Sequence, residues 1–292
     1  MKILWISDFC LNHTKGGAQR SDDIIIRSGL NDGLDITWFT HDSDPALLEE
    51  KYDHVISTNL EHISKTSPHI INWLQYHPNH SRLEHDMNAY LTPEDRQLLF
   101  SSCKNTFFLT NYHYEIFRNS YGDFFKNVKI VQDPVDVNSF YDKQLERENK
   151  VLYAGYMHPL KGTENFFNYV LGNPQLEFAV AGWGTPLYEF AAKAAPNIEY
   201  LGTVPYEEMP ELYNKYTTFF YHPFVKEPFC RSVCEAMLCG MKLDVNPSQI
   251  GCIHEYNRVG MEKFKENCNM AAEQFWAQIL NPELRILGEQ GG

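Results

Sequence analysis

Two glutamates, Glu227 and Glu235, stand with seven residues between them in the segment KEPFCRSVCEAMLCG, Lys226 to Gly240. Pro228 suits the first turn of a helix, where its missing N–H costs nothing, so a helix is predicted to begin there, with Glu227 in the loop just before it. The backbone N–H groups of Cys230, Arg231 and Ser232 would then lie at the helix N-terminus, an end that attracts phosphate or sugar oxygens. Glu235 falls about two turns further on, within reach of a ribose. The plain alternative is an amphipathic helix with two solvent-facing glutamates.

The elements that must hold this segment alternate from the first residue. Strands are predicted over Lys2–Ser7, Leu34–Phe39, Val55–Ile56, Thr106–Leu109 and Val128–Val131, with a helix through Ile24, Ile25 and Ile26. The run DKQLERENK, Asp142 to Lys150, is charged and polar and is read as an interdomain linker. The alternation then restarts. Strands are expected at Val151–Ala154, Leu176–Ala181, Ile198–Leu201, Thr218–Tyr221 and Leu243–Val245, and helices at Thr163–Leu171, Leu187–Ala194 and Arg231–Cys239, the last stopped by Gly240. Strands separated by helices mean βαβ units and mostly parallel sheets. The expected organisation is a first domain over 1–145, a second over 146–272, and a C-terminal helix within 273–292.

Composition narrows the function. The 292 residues are 43% hydrophobic and 22% charged, a globular balance that fits two modest domains. A formal charge of -13 repels polyphosphate and argues against a general nucleic-acid binder. No stretch approaches the roughly 20 apolar residues of a membrane span. The seven cysteines, Cys10, Cys103, Cys230, Cys234, Cys239, Cys252 and Cys268, are odd in number and lack CxxC spacing, which suits reduced thiols in a cytoplasmic protein and no zinc site.

With these residues in view, the Lys226–Gly240 segment resembles the Glu-x7-Glu signature of retaining GT-B glycosyltransferases of the group-1 kind, glycosyltransferase family 4. Glu227, Phe229, Glu235, Ala236, Met237 and Gly240 match in order, and Cys230 stands where glycine is usual. The resemblance implies an α/β, GT-B fold, two Rossmann-like domains facing an interdomain cleft, with Glu227 on donor-sugar hydroxyls and Glu235 on the ribose. Further segments follow in the family's order over roughly Met1 to Ile253. Gly155 to Gly162 resembles strand–G-R-x4-K-G: Lys161 matches the diphosphate lysine, and Tyr156 replaces the arginine. FAVAGWGT carries a G-x-G turn at Gly182 and Gly184, whose glycines would let backbone approach the nucleotide. In NIEYLGTVP, the backbone near Thr203 and Val204 is expected to meet the base edge. Lys15 to Arg20 resembles the family's glycine-rich loop, with Gly16 and Gly17 on donor phosphates; a plain strand-to-helix turn is the alternative. His85 and Asp86 resemble the His-Asp pair of the cleft, His85 bonding a sugar hydroxyl or moving a proton. Pro134 to Phe140 resembles a crossing segment and is read as structural, and the resemblance implies that the last helix, within 273–292, crosses back to the first domain with Phe275 and Trp276 as anchors.

The implied reaction moves a sugar from a UDP- or GDP-linked donor to a hydroxyl acceptor. No metal or cofactor is called for, because Lys161 and a helix N-terminus can neutralise the diphosphate charge. Arg231 is a candidate to replace the missing arginine. The acceptor is a glycan, a small molecule or a protein, and a modified base in DNA stays open although the acidic charge weighs against it. Two other readings remain: a non-catalytic sugar-nucleotide binder, suggested by Tyr156 and Cys230, and a nucleotide-sugar epimerase.

Overall fold

The computed structural model describes residues 1–87 and 91–281. The chain divides into two compact units, one formed by Met1–Pro134 with the stretch from Glu266 onward, the other by Val135–Lys265. The division thus falls before the charged run read as a linker.

The first unit contains β1 (Lys2–Ile6), α1 (Gly17–Asn31), β2 (Asp35–Phe39), β3 (His54–Ser57), α2 (Glu61–Thr66), α3 (Pro68–Tyr76), β4 (His80–Leu83), α4 (Pro93–Ser102), β5 (Asn105–Phe108), α5 (Asn111–Tyr121) and β6 (Val128–Ile130). Its six strands are all parallel, in the order β2-β1-β3-β4-β5-β6. β4 is a strand that apolar patterning does not predict, since it reads His80-Ser81-Arg82-Leu83. It is nevertheless fully buried, because its polar groups are paired. Ser57 Oγ and His80 Nε2 lie 2.8 Å apart, and Arg82 donates to Glu84 Oε2 at 2.7 and 3.0 Å and to the Thr58 carbonyl at 2.8 Å. Burial of such groups is tolerated only with partners of this kind.

The second unit contains β7 (Glu148–Ala154), α6 (Thr163–Gly172), β8 (Glu177–Ala181), α7 (Pro186–Ala194), β9 (Ile198–Gly202), α8 (Met209–Lys215), β10 (Tyr216–Tyr221), α9 (Arg231–Leu238), β11 (Lys242–Val245) and α10 (Gly251–Val259). Its parallel sheet runs β11-β10-β7-β8-β9. The predicted linker at 142–150 is corrected here: Glu148 to Lys150 open β7. Their charges are cross-strand partners, with Lys150 in register with Glu177 and its Nζ 2.8 Å from Glu199 and 3.3 Å from Glu148.

The chain closes with α11 (Met261–Asn269) and α12 (Ala271–Leu280). In the first unit, α12 packs on α1. Trp276 Nε1–H donates to the Ile25 carbonyl at 2.7 Å, and Phe275 packs against Trp5 and Phe107 with centroids 5.6 and 4.6 Å away. Gly29 of α1 leaves the room this needs, since a Cβ there would lie 2.7 Å from the indole. The residues after Asn281 lie outside the described ones.

Candidate functional site

In a doubly wound sheet, ligands gather beyond the carboxyl ends of the strands, where the order reverses. In the second unit that point lies between β7 and β10, which pair with each other and continue in opposite directions. The loop after β7 carries Lys161 and the loop after β10 carries Glu227, so topology alone brings the two together. Three contacts tie the loops: Phe224 N donates to Leu160 O at 3.0 Å, Asn165 Nδ2 to His222 O at 2.8 Å, and Gly162, with φ 76°, packs on the His222 carbonyl where any Cβ would overlap it.

At the centre, Lys161 Nζ donates to Glu227 Oε1 at 2.8 Å, and the Tyr221 hydroxyl donates to the same oxygen at 2.7 Å. Burial and the neighbouring Glu227 charge hold the Tyr221 phenol well above its usual range, so it stays a donor. The Glu227 backbone is pinned by a parallel bridge to Ile250: its N–H donates to Gln249 O at 2.7 Å, and its carbonyl accepts from Gly251 N at 3.0 Å. Phe229 follows, its carbonyl accepting from Cys252 N at 2.9 Å and its ring buried against Phe264. The Phe229 ring is therefore packing, not a surface open to a ligand.

Cys230 caps α9 with φ 73° and ψ 82°. This left-handed conformation is natural for glycine and costs a residue with a Cβ on the order of 1–3 kcal/mol. A glycine, usual at this position in the segment that Lys226–Gly240 resembles, would adopt this conformation freely. Burial and then the Glu227 carboxylate push the thiol up to about 12, so it offers no thiolate at neutral pH. Strain of this kind predicts that Cys230→Gly is more stable than Cys230→Ala by about 1 kcal/mol, after the chain-entropy cost of glycine is subtracted. Urea midpoints of the two variants would measure it, and equal midpoints would show the conformation to be unstrained.

One turn into α9, Arg231 and Glu235 form an i,i+4 pair at 3.6 Å, both nearly buried, with Ser232 between them at the helix start. Glu235 also accepts from the Tyr206 hydroxyl at 2.9 Å and the Tyr213 hydroxyl at 3.4 Å. Arg231 Nη2 donates to the Tyr206 oxygen at 3.0 Å, so the guanidinium is engaged along the helix rather than standing in the arginine position of the β7 loop. That position is held by Tyr156, exposed, stacked on His158 at 5.6 Å and tilted against Trp183 at 5.8 Å. Phe140, from the segment read as structural, is buried against Tyr206.

The glycines of the β7 and β8 loops answer first to one another. Gly155 and Gly182 have φ of 135° and 146°, and a Cβ at Gly182 would overlap the Gly155 carbonyl. Gly184 forms a bridge with Met157, whose backbone a Cβ at 184 would meet at 2.6 Å. Thr203 and Val204 follow β9, Thr203 exposed and Val204 half-buried.

In the first unit, Gly16 is the N-cap of α1 and Gly17 its first residue. Neither has positive φ, and a Cβ at Gly16 meets only the flexible Gln19 side chain, so the backbone does not demand glycine there. His85 lies just beyond β4, with Nε2 2.8 Å from Asp22 Oδ1 and both side chains 2% exposed. Burial disfavours the charged imidazole, but Asp22, with Asp133 and Asp86 further off, outweighs it and raises His85 to about 9. Asp22 also accepts from Thr58 Oγ1 at 2.9 Å. The Asp86 carbonyl lies 2.9 Å from His113 Nε2. Sequence reasoning missed Tyr221, Tyr206, Tyr213 and Asp22. For Asp22 a signal existed: it shares the buried stripe of α1 with Ile25, Ile26 and Gly29, and a carboxylate on an apolar stripe needs a partner.

Two parallel Rossmann-like sheets in one chain define the GT-B fold. Solved structures agree across nearly the whole length. Sucrose-phosphate synthase from Thermosynechococcus elongatus matches with a TM-score of 0.68, 13% identity and 96% of each chain covered. Alr3699/HepE from Anabaena, in complex with UDP, matches at 0.63, 14% identity and 95% of each chain. An alpha-glucosyltransferase in complex with UDP-glucose and DNA containing an abasic site matches at 0.63 and 12% identity, covering 96% of this chain and 100% of that one. A search of curated protein sequences found no significant match. Residues 138–243, within the second unit, match the family model described as glycosyl transferases group 1. No helix among the described residues is long and apolar enough to cross a membrane.

Proposed function

We propose that the protein is a retaining glycosyltransferase that moves a sugar from a UDP- or GDP-linked donor to a hydroxyl acceptor, with no metal in the transfer step. The observation that carries this reading is the Lys161–Glu227 pair in front of α9, at the point where the order of the second sheet reverses. As the glycosidic bond breaks, the leaving diphosphate gains negative charge. Lys161 turns from Glu227 to the phosphates, and the N–H groups at the start of α9 add to the field. Glu227, still held by Tyr221, then accepts from donor-sugar hydroxyls, and Glu235 serves the ribose. Departure and attack on the same face retain the anomeric configuration, the diphosphate oxygen taking the acceptor proton. His85, protonated at neutral pH, is suited to donate a hydrogen bond to a sugar hydroxyl and not to act as a base. Gly16 and Gly17 open α1 and supply its N-terminal amides.

Glycans, small molecules and proteins suit the acceptor role. DNA fits an acidic chain poorly, although one structural relative is held with it. Seven free cysteines support a reducing, cytoplasmic setting. The exposed Tyr156 in the arginine position favours a second reading, a binder without turnover.

A melting screen with uridine, guanosine and adenosine diphosphates tests the donor. The matching nucleotide at about 100 times its dissociation constant is expected to add about 2.7 kcal/mol. The corresponding nucleotide sugar should then release or transfer its sugar with the anomeric configuration kept. A shift without release identifies a binder, stereochemical change without acceptor an epimerase, and no shift with any nucleotide defeats the proposal.

A further inference from the structure

A second group of chemistry-bearing side chains lies in the first unit. The loop after β1 brings His13, and the loop after β2 brings His41 and Asp42. One ligand atom from each lies within 4.8 Å of the other two. The sequence separates His13 from His41 by the whole of α1, so only the parallel pairing of β1 and β2 makes them neighbours.

We propose that His13, His41 and Asp42 form a binding site for a borderline divalent transition cation of the zinc type. Two imidazoles and a carboxylate suit such ions, whereas magnesium and calcium prefer oxygen alone. Metal–ligand bonds of about 2.0–2.2 Å put tetrahedral ligand atoms roughly 3.4 Å apart. His13 Nε2 and Asp42 Oδ2 are already 3.1 Å apart, so small side-chain rotations close the site.

The surrounding groups orient the ligands as metal sites require. His41 Nδ1 lies 2.9 Å from the Asp8 carbonyl oxygen. A carbonyl only accepts, so Nδ1 carries the ring proton; this nitrogen is also 4.0 Å from Asp42 Oδ1, and loading turns the ring to bring the Nε2 lone pair to the ion. Asp42 Oδ1 accepts from Thr40 Oγ1 at 2.6 Å, which leaves Oδ2 for the ion. The Cys10 backbone N–H donates to His13 Nδ1 at 3.2 Å, so Nε2 carries the ring proton; loading moves it to Nδ1 and swings the ring from that N–H toward the Cys10 sulfur, 3.4 Å away. Phe9 packs against both imidazoles, at 4.9 Å from His41 and 6.3 Å from His13, and excludes water from one side. Three protein ligands leave a fourth position open to water or an outside donor atom. The bound ion would clamp the Cys10–Gly17 loop to the end of β2. This inference goes beyond the transfer reaction and does not depend on it.

The test uses the full chain, stripped with chelator and titrated with cobalt(II) alone. Wild type is expected to take up one equivalent with an intense visible band of tetrahedral character, displaced by zinc, and to melt higher when loaded. His41→Ala and Asp42→Asn should each weaken binding by about 10- to 100-fold or more. Exposed His69 provides the control, and His69→Ala should bind as wild type. Melting temperatures without metal should match among all variants, since the ligands lie at the surface. An absent cobalt band, or an undiminished one in His41→Ala or Asp42→Asn, overturns the site. Donor turnover plays no part in this readout, so its failure leaves the transferase reading untouched.

Discussion

Replacing Glu227 by alanine lowers turnover of the nucleotide-sugar donor by about 10²–10³-fold, the range seen when one preorganised polar group is removed from a charge-stabilising site. The change deletes the acceptor for donor-sugar hydroxyls and leaves the Tyr221 hydroxyl without its 2.7 Å partner. Lys161→Ala is expected to lose a similar factor by a different route, since the lysine faces the leaving group. The two should therefore separate in kinetics. Loss of Lys161 falls on kcat, because its contribution grows as charge develops. Loss of Glu227 falls on both kcat and KM, because the sugar is held before and during transfer. Lys161 is 39% exposed on its side chain, so its removal should leave the melting temperature nearly unchanged. Initial rates of sugar release from the matching donor decide the matter, and wild-type rates in both variants would remove the site from the second unit.

The second large effect is on stability. His85→Leu breaks a buried ion pair and leaves the buried Asp22 side chain without its imidazole partner, at a cost of about 3–5 kcal/mol. The pH dependence has a definite sign. His85 is raised in the folded chain from its ordinary value near 6.5 to about 9, so the folded state holds its proton more tightly than the unfolded one. Its contribution is full below about pH 6.5 and fades as pH rises through about 9. Urea unfolding of wild type should show a decline of a few kcal/mol across that window. Asp22→Asn, which removes the charge that raises His85, should flatten it. A wild-type profile level from pH 6.5 to 9 would contradict the assignment of His85 as an imidazolium.

Much of the second sheet was legible because its strands are apolar runs between glycine turns. Val151 to Ala154 and Phe178 to Ala181 are bounded by Gly155 and Gly182, and the structure has strands there. β4 was illegible for the opposite reason. His80, Ser81 and Arg82 look like loop, and only neighbours distant in sequence, such as Ser57 and Glu84, make their burial affordable. The charged run at 142–150 misled in the same way: Lys150 looks solvated until Glu199 and Glu177 are set beside it. At the proposed site, Glu227 and Glu235 stood out by their spacing, and Lys161 by the resemblance of its segment. Their phenolic partners Tyr221, Tyr206 and Tyr213 did not, because they come from other elements with no fixed offset. The left-handed backbone at Cys230 was hidden by the side chain itself, since a cysteine does not advertise a glycine's conformation.

The seat of α12 bears on how the chain is made. Trp5 of the first strand waits for Phe275 and Trp276, so the core of the first unit cannot close until synthesis has passed residue 280. The second unit is continuous from Val135 to Lys265. Multidomain chains generally acquire structure from the amino end as they leave the ribosome. Here that order is inverted: the middle of the polypeptide can mature during translation, while its beginning must wait, partly assembled, for its end.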